Sequence, residues 1–319
     1  MKWYASIIAL FAVQAVVASP LEKRASVNDV ASVGYATLNG GTSGGSGGTQ
    51  TTVTSLSALT SAVSGSAKKV VIISGTISGN TVVKVGPNTT VIGKSGSQLV
   101  GVGLRVIDVS NVIIRNVKIS KVLADAGDAI GVQSASQVWI DHADLSSDRD
   151  HDKLRWASRY HSRLHWSDRF KQQALQSLEG VPKYDFTDTL LTFAKASLVG
   201  HSDSNGSEDV KITVTYVGNY WSNLNSRTPS FRFGHGHIFN NFFENNGDGI
   251  NTRDEAQVQR SLFTLPTKDM RIAKGNDFGG GSNDAPTGNF NSAPYSYSLL
   301  AVGSVKSSVL ANAGQTLSF

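Results

Sequence analysis

Residues 225–233, Asn-Ser-Arg-Thr-Pro-Ser-Phe-Arg-Phe, place Arg227 and Arg232 on either side of Pro229. Proline does not sit in a helix interior, so the two arginines do not share a helix face. In an extended segment residues five apart face opposite ways, unless Thr-Pro-Ser turns the chain between them, as Pro229 favours. Two guanidinium forks then line one cleft. Such forks match carboxylates at two points, which makes an acidic polymer the natural ligand and a solvated surface pair the plain alternative. Asp128, in Ala126-Gly127-Asp128-Ala129-Ile130, is either a turn aspartate bonding its own backbone or a ligand for a hard cation. Asp148, Asp150 and Asp152 alternate like a calcium loop but lack its glycine turn and terminal glutamate, and read as a polar loop.

The elements that must hold these groups are strands. From Lys69 onward short β-branched runs are punctuated by Gly, Asn and Ser, as in Val70–Ile73, Val112–Ile114, Val138–Ile140, Val214–Tyr216 and His237–Phe239. Aligning 112–119, 138–145, 214–221 and 237–244 puts Asn116, His142, Gly218 and Asn241 in register, at separations of 26, 76 and 23. The middle value is about three of the others, so one coil per ~25 residues fits a repeat solenoid. The fold class is therefore all-β, a single-stranded parallel solenoid, with a β-sandwich as the competing architecture. Leu56, Leu59, Ala62 and Val63 fall at helical spacing and predict a short N-terminal helix capping the open end of the sheet. The Gly, Ser and Thr tract at 35–52 ahead of it reads as a flexible linker. Trp139 and Trp221 sit inside apolar runs and read as coil packing, while the coil register gives His142 a structural role, which His201 is read as sharing.

Three phrases in order, Val138-Trp139-Ile140-Asp141-His142, Lys195 to Asp203 (KASLVGHSD) and Arg-x-Pro-x-x-Arg at 227–232, resemble the fungal pectate lyases of the pectate/pectin lyase superfamily. The resemblance covers most of the chain from about Ala25. It implies a right-handed parallel β-helix and calcium-dependent cleavage of (1→4)-α-D-galacturonan, de-esterified pectin, by β-elimination to unsaturated oligogalacturonides in plant cell wall degradation. It further implies that Arg227 is the base, that Lys195 and Arg232 grip substrate carboxylates, and that Asp128 supplies calcium. Two more calcium carboxylates are implied in a Tyr-Asp-Gly-Leu-Val-Asp phrase that this chain lacks. An arginine base is chemically demanding, because a guanidinium is normally always protonated. Two alternatives stand beside this reading: a calcium-independent pectin lyase and a carbohydrate-binding β-solenoid without turnover.

Residues 1–19 carry an early Lys2, an apolar run from Ile7 and Ala18-Ser19, the pattern of a secretory signal. Residues 20–24 end in Lys23-Arg24, which suits a processing protease and leaves a mature domain of 25–319. No later stretch reaches the ~18 apolar residues of a membrane helix. There is no cysteine, so disulfides and thiolate metal sites are excluded. The net charge of +5 divides into +2 in residues 1–24, +2 in 154–194 and only +1 in the remainder, which argues against a nucleic-acid partner. The expected protein is an extracellular monomer whose partner is polygalacturonate. Asn88 and Asn205 begin glycosylation sequons.

Two stretches break the pattern. Residues 154–194 are rich in arginine, tryptophan and glutamine without a period. With suitable synonymous codons, residues 154–166 shifted by one nucleotide give Tyr-Asp-Gly-Leu-Val-Asp-Ile-Thr-His-Ala-Ser, and residues 260–271 shifted by two give a second family-like phrase. The reading is that 154–194 and about 258–271 are mis-translated across wrong splice junctions; a diverged insertion is the alternative.

Overall fold

The computed structural model describes residues 23–123, 126–146, 175–176, 183–187, 189–192, 196–200, 206–224, 227–247, 249–253, 257–260 and 293–319. Its main sheet stacks nine strands: β2 (Thr49–Val53), β3 (Lys69–Ile73), β5 (Thr89–Gly93), β7 (Ser110–Arg115), β10 (Ser136–Asp141), β13 (Lys183–Thr187), β16 (Thr213–Val217), β19 (His235–Phe239) and β22 (Gln257–Arg260). A second sheet runs β12 (Leu175–Gln176), β9 (Ile130–Gln133), β6 (Gln98–Ile107), β8 (Lys118–Ser120), β11 (Asp144–Ser146), β14 (Leu190–Thr192), β17 (Tyr220–Ser222) and β20 (Phe242–Glu244), with β4 (Thr76–Lys84) on β6. A third holds β15 (Leu198–Val199), β18 (Ser230–Arg232) and β21 (Asn251–Arg253). Every pairing among the described residues is parallel, including that of β1 (Lys23–Arg24) with β23 (Leu317–Ser318). This is the parallel solenoid that the repeat predicts.

Alternation places the core. Val112 and Ile114 point inward with Val138 and Ile140 of the next coil, while Ile113 and Trp139 face out and are covered by Ala31 and Ala36. Trp221 is fully buried and stacks on Phe243 at 5.6 Å, so both tryptophans pack coils. Helix α1 (Leu56–Ala62) buries Leu59 against the first coils, and the Ser55 hydroxyl caps it by accepting from Ala58 N.

The register differs from the sequence alignment by one residue. Val214 pairs with Gly236 rather than His237, so the residues following Arg115, Asp141, Val217 and Phe239 form the turn column: Asn116, His142, Gly218 and Asn240. All four have positive φ, at 54, 51, 71 and 54°, a conformation that Asn and Gly tolerate best. Asn241 belongs to the next column, with Asn219 and Thr189. There Asn219 Oδ1 accepts from Thr189 N at 2.9 Å, and Asn241 Oδ1 accepts from Asn219 N at 2.9 Å. The gap of 76 also contains one intermediate rung, β13, rather than two. Residues 183–187 and 190–192, inside the irregular stretch, pair with coils on both sides.

The tract at 35–52 is not a linker. Asn111 Oδ1 accepts from Ser43 N at 2.8 Å and Gly44 N at 2.7 Å, Thr90 Oγ1 accepts from Gly45 N at 2.8 Å, and β2 is the first strand of the main sheet. A Cβ on Gly45 would run into the Lys69 carbonyl, so its glycine serves close backbone approach rather than flexibility. Helix α2 (Gly206–Asp209) is a single turn between β15 and β16, and α3 (Val302–Asn312) lays Val305 and Val309 on Phe242. Among the described residues no helix is long and apolar enough to cross a membrane. The expected signal, residues 1–19, and residues 20–22 of the expected propeptide at 20–24 lie outside the described residues.

Candidate active site

The Arg-x-Pro-x-x-Arg segment turns as its proline suggests. Arg227 adopts φ 64°, Thr228 and Pro229 form the turn, and the chain enters β18 ending at Arg232. A left-handed backbone on a long side chain is uncommon and costs of order 1 kcal/mol, so its surroundings must hold it. They do so from two coils. Arg227 O accepts from Ser197 N at 2.9 Å, and Thr228 Oγ1 donates to Gly249 O at 3.0 Å. Ser230 N returns a bond to Ser197 O at 2.9 Å. Ser197 is in turn fixed by the buried Tyr216 hydroxyl at 2.6 Å, whose pKa burial pushes up. Both arginines are partly buried while Thr228 through Phe231 between them are fully buried, so a rigid turn holds two cations at its ends.

Arg232 lies opposite Arg253 in the parallel register, and its backbone presses on Gly200, which follows β15. Lys195, His201 and Asn205 lie outside the described residues, as do Asn225, Ser226 and the Asp148–Asp152 loop.

Asp128 stands at the start of β9, 1% exposed, after a turn closed by Ala126 N to Leu123 O at 2.9 Å. The sequence did not point to its neighbour. Arg105 on β6 pairs with Gly131 on β9, and a Cβ on Gly131 would fall 2.5 Å from Arg105 Nε. The guanidinium ends 3.4 Å from where a Cβ of Gly127 would be, at the corner that holds Asp128. An isolated charge between Leu104 and Val106 in an apolar run is the signal that marks it as outward-facing.

Calcium takes six to eight oxygen ligands, several of them carboxylates. Asp128 is the one described residue of the implied set, and among the described residues no group of three His, Cys, Asp or Glu could hold a metal. With a guanidinium at the same corner, the described residues do not by themselves compose a calcium site.

The remaining candidates are structural or engaged. His142 is buried in the turn column with Nδ1 2.7 Å from Asp141 Oδ1. Asn88 holds φ 53°, donates to Ser66 O at 3.1 Å and accepts from Asn111 at 2.9 Å, while its sequon partner Thr90 is buried. The glycosylation amide is thus part of a side-chain ladder.

A family model described as pectate lyase matches residues 5–157 and 186–318, leaving a gap inside the irregular stretch. A probable pectate lyase A of Neosartorya fischeri is 49% identical over 339 aligned positions, covering all of both chains. Pectate lyase A of Emericella nidulans is 48% identical over 94% of this chain and 91% of its own. Among solved structures, the pectate lyase of Bacillus sp. N165 in complex with trigalacturonate superposes with a TM-score of 0.70 at 24% identity, covering 89% of this chain and 98% of that one. Pectate lyase II of Xanthomonas campestris gives 0.69 at 23%, covering 90% and 98%. Coil by coil the architecture is shared with these enzymes, and at near-half identity along its whole length to the fungal ones the chain belongs to the pectate lyase family.

Proposed function

We propose that the protein is a secreted lyase that cleaves polygalacturonate by β-elimination, with Arg227 as base and Arg232 and Lys195 on the substrate carboxylates. The observation that carries this is the pinned turn at Arg227, left-handed, cross-braced to Ser197 and Gly249, and followed at once by Arg232. Positional precision of this kind is what proton abstraction needs.

The galacturonate C5 proton is α to a carboxylate. Arg227, in its neutral form, removes it; the C–H electrons become the C4–C5 double bond, and the C4–O bond to the next sugar breaks, the departing oxygen keeping the bonding pair and taking a proton from solvent. Water is not consumed. Arg232 and Lys195 raise the local positive potential, which favours neutral Arg227 and stabilises the charge that builds on the substrate carboxylate. Calcium, as the resemblance implies, would add charge neutralisation at that carboxylate when bound. The chain lacks the Tyr-Asp-Gly-Leu-Val-Asp carboxylates, so we infer weak calcium binding and slow turnover for the polypeptide as its sequence stands. The break in the family match over 158–185 supports reading part of 154–194 as mis-translated.

Incubation with polygalacturonate is expected to release unsaturated product slowly, at least tenfold below a fungal relative assayed alongside, and Arg227→Lys is expected to abolish it. Saturated reducing ends without the unsaturated chromophore would overturn the elimination, and binding without any product would favour a carbohydrate-binding solenoid. Sequencing the transcript across codons 150–200 and 255–275 tests the splice reading separately.

A further inference from the structure

Tyr216 breaks the pattern of its column. The inward positions paired along the main sheet, Val91, Ile114, Ile140, Phe186, Tyr216 and Ile238, are apolar except for this one hydroxyl. A phenol placed in a core costs free energy unless its oxygen is bonded. Here it is bonded. Tyr216, fully buried, reaches across the coil interior until its hydroxyl lies 2.6 Å from that of Ser197, which is itself 1% exposed. Burial pushes the Tyr216 pKa up, so the phenol keeps its proton at neutral and mildly alkaline pH and the bond does not switch off there.

Ser197 is where the arginine segment is tied down. Its N donates to Arg227 O at 2.9 Å and its O accepts from Ser230 N at 2.9 Å, so the turn hangs from the two sides of one residue. The Tyr216 ring braces the rest of the segment. It packs edge-on against Phe231 with centroids 6.1 Å apart and tilts against Trp221 at 5.4 Å. Phe231 pairs with Val199 on β15 and directly precedes Arg232. A tyrosine has only two side-chain torsions, so with rings on two sides its hydroxyl is a fixed point. One core side chain therefore reaches, at one remove, the residues that carry both arginines.

We propose that Tyr216 is a positioning residue for the elimination, setting the stance of Arg227 through Ser197 and steadying Arg232 through Phe231. This rests on the reading of Arg227 as base and Arg232 as carboxylate clamp. The two contacts are made by different parts of the side chain, so their effects separate. Loss of the hydroxyl loosens Arg227 and slows proton removal, whereas loss of the ring also weakens the grip on substrate.

Rates of unsaturated-product formation from polygalacturonate by the full chain test this, measured at least about 15 °C below each variant's melting midpoint so that nearly all of it is folded. Tyr216→Phe is expected to lower kcat about tenfold with KM changed less than about twofold, the split that a displaced reacting group gives on an unaltered binding site. Ser197→Ala is expected to do the same, and the double variant to lose no more than about twofold beyond either single one, because both remove one shared bond. Tyr216→Leu is expected to raise KM about threefold as well. Ile238→Val, on the next rung of the column, trims the core by one carbon and removes no hydroxyl, and is expected to hold kcat within about twofold. A kcat for Tyr216→Phe within about twofold of the unmodified chain overturns the inference alone, as does an equal loss in Ile238→Val or a multiplied loss in the double variant. Ser197→Ala decides in the same way if Tyr216→Phe does not fold. Absence of unsaturated product from the unmodified chain overturns the lyase reading, and the inference with it.

Discussion

His237 lies against Phe239 and Tyr297, with Nδ1 2.6 Å from the Tyr295 hydroxyl, which itself reaches Thr215 at 2.9 Å. Burial pushes its pKa down to about 3. The unfolded chain therefore takes up a proton near pH 6.5 that the folded one refuses until about pH 3, so stability rises with pH across that window and falls on acidification. Thermal melting is expected to drop steadily from pH 6.5 to 4, and His237→Phe to flatten that limb while leaving the melting point at pH 8 within a few degrees. An unchanged slope would place the acid sensitivity elsewhere. Asp141 acts in a separate, lower window. Burial would raise its pKa, but His142, Arg115 and Thr187 together outweigh that and hold it below the ordinary value, so its contribution is present at neutral pH and lost as pH falls below about 4. Arg115 Nε meets Asp141 at 2.6 Å and Nη1 meets Asp29 at 2.6 Å, a buried pair whose breakage by Asp141→Asn is expected to cost about 3 kcal/mol in denaturant titration. At this scale the sequence was half readable. Arg227 and Arg232 drew attention by type and by the proline between them, and they stand at the two ends of one segment, Arg227 before the turn and Arg232 at the end of β18. Arg115 and Asp141 are 26 residues apart, one coil, and only the repeat makes them neighbours.

Strands and the first helix were legible because their signals are local: β-branched runs between turn residues, and Leu56, Leu59 and Val63 at helical spacing after a capping serine. The glycine tract at 35–52 misled because composition reports conformational freedom and not its use. There the missing side chains let Gly45 and Gly48 sit against the Lys68–Lys69 backbone. The alignment slipped by one residue for a related reason. Gly236, a true strand position opposite Val214, carries no apolar signal. The asparagine column depends on that register. Asn219 Oδ1 accepts from Thr189 N and its Nδ2 donates to Asn241 Oδ1, all three residues being fully buried. Asn219→Ala is expected to leave the buried Thr189 N–H without a partner, while Asn241 Oδ1 keeps the Asn219 backbone N–H, and to lower stability by about 2 kcal/mol. Lys211→Ala, at an exposed position before β16, serves as the control and is expected to change it by less than about 1 kcal/mol.

Over the whole molecule each coil touches chiefly the next, so the interior is a chain of neighbour contacts and the two ends need closure of their own. Helix α1 closes one end. The C-terminal segment works along the side: Gln315 Nε2 donates to Ser97 O and Asn116 O, both at 2.9 Å, and Leu317 exchanges bonds with the Asn116 side chain at 2.9 and 3.0 Å. That last strand, β23, is the partner of Lys23–Arg24, and Ala25 N donates to Ser318 O at 2.9 Å. Where the described chain starts and where it stops are therefore one place on the surface. Seen topologically the fold is a ring, and the position of its cut is incidental to the coil. A circular permutant that joins Phe319 to Lys23 through a short Gly-Ser link and opens the exposed turn between Ser66 and Ala67 should keep the same β-sheet circular dichroism and melt cooperatively.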